Sequence, residues 1–122
     1  MMLINKFFSV ISSEYSNNVI KASIRINGEH PIFKGHFPEV PIVPGVCMLQ
    51  ITKEMVELQL GKAMKVAEAD NMKFLSVINP NDTPELQSEI KIEEATEGLK
   101  ITASLFKDTT TFFKLKALLI VA

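Results

Sequence analysis

A histidine and a predicted helix start lie close together in one short segment of the chain. His36 stands in the run Gly35-His36-Phe37-Pro38, and Pro41-Ile42-Val43-Pro44-Gly45 follows shortly before an apolar stretch. A neutral imidazole can accept a proton near pH 7. The N–H groups at a helix start, together with the helix dipole, stabilise a developing anion. The segment could therefore hold a general base beside an anion site.

Prolines stiffen this segment. Four of the six prolines in the chain are at positions 31, 38, 41 and 44, within the segment or just before it. Each proline fixes φ and removes a backbone donor. We therefore interpret the segment as a rigid turn that positions the residues on either side of it.

The residues after Pro44 predict a helix from Gly45 to Leu60. Pro44 suits the first-turn position, no proline interrupts the run, and Gly61 supplies a stop. The first turns are apolar almost all round, which predicts burial. The second half is amphipathic and is predicted to reach solvent through its polar residues Lys53, Glu54, Glu57 and Gln59.

The remaining sequence is typical of antiparallel strands. Between Val19 and Ile26 apolar and polar residues alternate, which predicts a half-buried strand. Turn residues separate five further predicted strands: Met64 to Ala69, Met72 to Ile78, Leu86 to Ile92, Leu99 to Phe106 and Phe112 to Val121. One long helix and about six strands predict an α+β fold in which a sheet wraps around the helix. The last strand is apolar on both faces, which indicates a central strand or one covered by a second subunit.

Composition limits the possible classes of function. The chain has 122 residues, 47% of them hydrophobic, and this predicts a single domain spanning residues 1–122. The net charge of -1 argues against a nucleic-acid binder. Cys47 has no partner for an internal disulfide, and no Cys/His spacing resembles a zinc site. No signal region or membrane-spanning run is present, so we expect a soluble cytoplasmic protein.

The motif around His36 resembles the hot-dog-fold 3-hydroxyacyl-[acyl-carrier-protein] dehydratases of fatty-acid synthesis. The resemblance is carried by eight positions, Gly35, His36, Phe37, Pro38, Pro41, Ile42, Pro44 and Gly45. Weaker similarity lies in His30-Pro31-Ile32-Phe33 and in residues 72–82, and in all it extends from about Val19 to the last residue. It implies a hot-dog fold, an antiparallel sheet around one long central helix, in which the N-terminal helix usual in the family is missing or very short.

The resemblance also implies an activity and its partners. The substrate would be a 3-hydroxyacyl thioester of acyl carrier protein or coenzyme A, with no cofactor, metal, nucleic acid or membrane involved. His36 would be the base, and the backbone N–H of Gly45 or Val46 would stabilise the enolate oxygen. Residues implied at the substrate are Phe37, Pro38, Pro44 and Val46. The resemblance also implies a homodimer, because in this family the histidine of one site comes from one subunit and the helix residue from its neighbour.

The sequence departs from the family at Gln50. The catalytic carboxylate of the family follows the helix-starting glycine by five residues, and here that position holds glutamine. An amide forms hydrogen bonds but cannot exchange a proton at neutral pH. Losing a general acid typically costs about 10²–10⁴ in rate. Gln50 could still orient a hydroxyl or a water. The alternatives are therefore a degenerate acyl-thioester-binding subunit that pairs with an active paralogue, and a thioesterase in which Gln50 holds the attacking water.

Several residues carry a second, structural interpretation. His36 could bond only to the backbone of its turn, and Gly45 could only permit the turn. Glu54 lies one helical turn after Gln50, where we favour a solvated carboxylate over a catalytic one. His30 is a weak candidate for a supporting or surface role. Cys47 is interpreted as a small core residue rather than an activated thiol.

Overall fold

The computed structural model of the protein describes residues 2–34 and 41–122. Two strands, a short 3₁₀ helix, one α-helix and four more strands follow one another along the chain. Their bounds are β1 Phe8–Ser16, β2 Val19–Ile26, the 3₁₀ helix Pro31–Phe33, α1 Gly45–Leu60, β3 Met64–Phe74, β4 Glu85–Ala95, β5 Gly98–Lys107 and β6 Thr110–Val121. This composition confirms the predicted α+β class.

The six strands form one antiparallel sheet in the order β1-β2-β4-β5-β6-β3. Helix α1 packs against it and contacts β3, β4 and β6. Fully buried side chains from the helix and from the sheet form one apolar core; among the largest are Ile24, Ile51, Met55, Ile90 and Phe113. The sheet therefore supports the helix that carries Gly45 and Gln50.

Strand β2 follows its predicted bounds and faces. Ile20, Ala22, Ile24 and Ile26 are buried, while Lys21 and the other intervening residues are more exposed. This alternation places one face of the strand on the core. Strand β6 lies between β5 and β3, which confirms that it is an interior strand.

Strand β3 differs from the prediction. Two strands were expected, one before and one after Asp70-Asn71, but a single strand runs from Met64 to Phe74. Its pairing with β6 shifts register between Ala69 and Asn71. An irregularity of this kind absorbs an extra residue inside a strand. The predicted turn is therefore a local irregularity in one continuous strand.

Strand β1 was not predicted from the sequence. It pairs with β2 over Phe8–Ser16, and a register shift falls between Val10 and Ser12. Most of its residues are exposed, so the apolar alternation that identifies a half-buried strand is weak. Residues 2–7 contain turns and a bridge but no helix.

Helix α1 has the predicted bounds, but some of its side chains lie on unexpected sides. It begins after Pro44 and ends at Gly61, whose φ of 67° is the left-handed conformation that glycine adopts readily. Val46 and Leu58 are exposed, with 64% and 56% of their surface accessible. Glu54 is buried. The prediction of a buried first turn is thus wrong at Val46, and the prediction of solvent exposure for the polar residues of the second half is wrong at Glu54.

None of the helices in residues 2–34 and 41–122 is long and apolar enough to cross a membrane. The assignment of residues 1–122 to one domain stays a prediction.

Candidate functional site

The first residues of α1 have backbone N–H groups that take no part in the hydrogen bonds within the helix. The first bonds of the helix run from the N–H groups of Cys47 and Met48 to the carbonyl oxygen of Pro44, at 3.0 and 3.3 Å. The N–H groups of Gly45 and Val46 precede this ladder and have no acceptor within the helix. They are the groups at a helix start that can stabilise negative charge.

Gly45 lies against an aromatic ring from the end of β3. A Cβ atom added at Gly45 would lie 2.7 Å from atoms of the Phe74 ring, closer than real side chains approach one another. The Phe74 side chain is itself 52% exposed and contacts Phe113 behind it, with 5.4 Å between ring centroids. Glycine at position 45 therefore allows this ring to lie on the helix start.

Gln50 donates a hydrogen bond along the helix. Its Nε2 lies 2.7 Å from Oε2 of Glu54, one turn further on. An ionised carboxylate only accepts hydrogen bonds, so this contact assigns the amide orientation, with nitrogen toward Glu54. Gln50 is half-buried.

Glu54 is a buried carboxylate held by the backbone of the N-terminal segment. The residue is 2% exposed, and its oxygens accept the N–H of Leu3 at 2.8 and 2.9 Å and the N–H of Ile4 at 2.8 Å. Backbone donors replace the water that a buried carboxylate loses. The prediction of a solvated carboxylate is therefore wrong, because the N-terminal segment covers this face of the helix.

The predicted site residues are only partly within the described structure. Pro44, Gly45, Val46 and Gln50 lie on one helix or at its start, with Val46 turned to solvent. His36, together with its neighbours Phe37 and Pro38, lies outside the described residues. The roles given to all of these residues stay predictions.

His30 has a local structural contact. Its Nδ1 accepts the N–H of Ile32 at 3.1 Å, which caps the 3₁₀ helix. Its ring meets the Phe7 ring edge-on, with 5.4 Å between centroids. These contacts hold the chain just before the motif.

Cys47 is fully buried, which confirms its interpretation as a core residue. Burial raises the pKa of the Cys47 thiol, because the charged thiolate loses its hydration. A thiol of this kind is a weak nucleophile near neutral pH. Within the described part of the chain, no group of three or more His, Cys, Asp or Glu residues could hold a metal ion.

Comparison with known proteins identifies the family. A family profile described as ApeI dehydratase matches residues 12–112. A 3-hydroxyacyl-[acyl-carrier-protein] dehydratase FabZ from Ruminiclostridium cellulolyticum is 32% identical over 92 residues, covering 70% of this chain and 64% of the relative. Its counterpart from Chloroflexus aggregans is 35% identical over 81 residues, covering 61% of this chain and 55% of that relative. The chain thus spans less than two thirds of the length of these curated relatives.

Solved structures agree with the fold. A chain of the dehydratase heterocomplex ApeI:P from Xenorhabdus doucetiae superposes with a TM-score of 0.74 at 20% identity, covering 91% of this chain and 96% of that one. A putative thioesterase from Shewanella oneidensis has a TM-score of 0.56 at 12% identity, covering 96% of this chain and 85% of that one. The predicted hot-dog fold and the predicted resemblance are confirmed, and the chain belongs to the ApeI-like dehydratase family.

Proposed function

We propose that this protein removes water from 3-hydroxyacyl thioesters carried by acyl carrier protein or coenzyme A, in fatty-acid or related acyl-chain synthesis in the cytoplasm. The observation that carries the proposal is the ApeI dehydratase match, which spans His36, Gly45 and Gln50 in one segment. The N–H groups at the start of α1 support it, because they suit an enolate oxygen.

In the proposed reaction His36 takes the proton from the carbon beside the thioester carbonyl. The C–H electron pair forms the new double bond as the C–O bond to the hydroxyl breaks. Negative charge that develops on the carbonyl oxygen is stabilised by the N–H groups of Gly45 and Val46. The departing hydroxyl leaves as water.

Gln50 restricts how the proton can move. Its amide cannot deliver a proton at neutral pH. The proton that His36 has taken must therefore pass to the departing hydroxyl, directly or through a water. Gln50 acts by orienting that hydroxyl, as a hydrogen-bonding group rather than an acid.

The test is a product assay on the purified protein with a 3-hydroxyacyl coenzyme A thioester. We expect loss of one water from the acyl chain by mass spectrometry, with no release of free thiol. Thiol release without water loss would contradict the proposal and favour a thioesterase. Binding of the thioester without either reaction would favour a degenerate subunit.

The degenerate subunit is the second candidate, and Gln50 is the observation that favours it. A family member that lacks the carboxylate could bind the acyl chain and depend on an active paralogue for chemistry. A solved relative of the same fold is part of a heterocomplex. Turnover that appears only after mixing with a paralogue would support this candidate.

We also propose that two copies of the chain pair through strand β3. This strand is at an edge of the sheet, and exposed apolar residues lie at its end and just beyond: Met72, Phe74, Leu75 and Val77, with 39–63% of their surface accessible. Exposed apolar residues at an unpaired strand edge favour association. The same edge lies beside the helix start, since Phe74 contacts Gly45.

Sedimentation velocity tests the dimer with two matched variants. Leu75 is 53% exposed beyond β3, and Ile11 is 51% exposed on β1, the opposite edge of the sheet. We expect wild type and Ile11→Lys to sediment as dimers, and Leu75→Lys to shift toward the monomer because lysine would be buried without a partner. Dimers of equal stability in all three proteins would contradict the proposed interface.

A further inference from the structure

We propose that Glu54 is a positioning residue that fixes the amide of Gln50, so that positions 50 and 54 must together hold one amide and one carboxylate. The inference rests on the proposed function only in so far as Gln50 meets the substrate. The contact between the two side chains is a property of the folded chain.

The hydrogen-bond capacity of Glu54 carries the argument. Oε1 accepts from the N–H groups of Leu3 and Ile4, and Oε2 accepts from Leu3 and from Gln50. A carboxylate offers about four acceptor positions. Three N–H groups therefore share the Glu54 oxygens, with that of Leu3 reaching both, and each of these neighbours is a donor.

Within residues 2–34 and 41–122, no charged side chain donates a hydrogen bond to Glu54. Glu57 and Lys62 line the same cavity as Glu54. Glu57 accepts from Lys53 at 3.1 Å and from the N–H of Met64 at 2.8 Å. The hydrogen bonds to Glu54 come from uncharged N–H groups, so a donor at position 50 contributes directly to stabilising its charge.

The orientation of Gln50 follows from this demand. Because Nε2 is the amide atom that contacts Glu54, the carbonyl oxygen of the same amide is the atom that does not. The hydrogen bond to Glu54 therefore sets which side of the Gln50 amide carries the acceptor.

The contact also predicts that replacing Gln50 alone by glutamate is unfavourable next to Glu54. Glutamate at 50 would put two carboxylates in contact, and like charges in one site disfavour ionisation of both. Exchange of the two residues avoids the conflict. In Gln50→Glu with Glu54→Gln, the amide at 54 accepts from Leu3 and Ile4 and donates to the carboxylate at 50.

A double-mutant cycle tests the inference. The full-length wild type is compared with Gln50→Glu, with Glu54→Gln and with the exchanged pair, by urea unfolding and by kcat/KM, each from pH 5 to pH 8. For Gln50→Glu we expect the folding equilibrium constant to fall by roughly 10- to 100-fold over this range, since the folded variant holds one more proton than its unfolded chain. For the exchanged pair the fall is expected to stay within about threefold, since its buried acid again has a donor.

The kinetic profile separates positioning from stability. Glu54→Gln is expected to lower kcat by about tenfold with little change in KM, because the amide of Gln50 is no longer held in one orientation. The exchanged pair is expected to gain a fall in kcat/KM toward high pH, as the new carboxylic acid at position 50 loses its proton, in addition to the fall toward low pH that a histidine base gives in the wild type.

The outcomes distinguish this inference from the proposed function. Equal stability of Gln50→Glu at both ends of the pH range, or stability changes that add within about twofold, would overturn the inference whatever the activities. Strong coupling in stability, with no turnover by any of the four proteins, would support the contact and contradict the proposed dehydratase.

Discussion

Replacement of His36 by alanine is expected to lower kcat/KM for the dehydration of a 3-hydroxyacyl thioester by about 10²–10⁴-fold, since a positioned general base contributes rate of this order. Gln50 cannot take over the proton. The loss is expected in kcat more than in KM, because proton transfer belongs to the transition state. Initial rates at saturating and subsaturating substrate measure it.

The second histidine of the chain provides the control. His30→Ala removes an imidazole that accepts the N–H of Ile32 and packs on Phe7. We expect a stability loss of about 1 kcal/mol from the lost cap. Its kcat/KM should stay within a few fold of the wild type. Full activity in His36→Ala, or an equal loss in both variants, would contradict a catalytic role for His36.

Gly45→Ala is expected to lower kcat/KM by about 10²-fold, because a methyl group at the helix start would hold the thioester carbonyl away from its donors. The same methyl group would meet the Phe74 ring at 2.7 Å. The ring is half-exposed in the single chain and can turn aside, so the variant is expected to fold, and sedimentation velocity checks that the proposed β3 dimer is retained. Kinetics and thermal unfolding of the same preparation measure both effects.

Phe74→Ala separates the two reasons for a glycine at position 45. The single variant removes the ring and serves as the reference for the double variant Gly45→Ala, Phe74→Ala. If the glycine admits the substrate, the double variant remains about 10²-fold below Phe74→Ala, the size of a lost oxyanion contact. If the double variant matches its reference, the glycine serves only to accommodate the ring.

Local sequence signals predicted the bounds of α1 and of β2. The bounds of α1 follow from Pro44 and Gly61, and those of β2 from its alternation. Strand β1 escaped prediction because most of its side chains are exposed. Strand β3 was divided in two because Asp70-Asn71 is typical of a turn, whereas pairing with β6 holds the backbone extended through a register shift.

Of the candidate site, the part that lies on one helix could be predicted from the local sequence. The spacing between Gly45 and Gln50 places both on one helix, as observed. The burial of Glu54 was not predictable, because its donors are backbone N–H groups more than 45 residues away in sequence. Its spacing from Gln50 was visible, but nothing in the residue types of the N-terminal segment indicates where that backbone lies.

The backbone donors at Leu3 and Ile4 constrain how this protein can change during evolution. Every residue except proline carries an N–H group, so other residues at these two positions can still hold Glu54. The Leu3 side chain is buried and favours an apolar replacement. An insertion or deletion between these residues and β1 would move the donors away from the carboxylate. The network therefore preserves the length of the N-terminal segment more strictly than its composition.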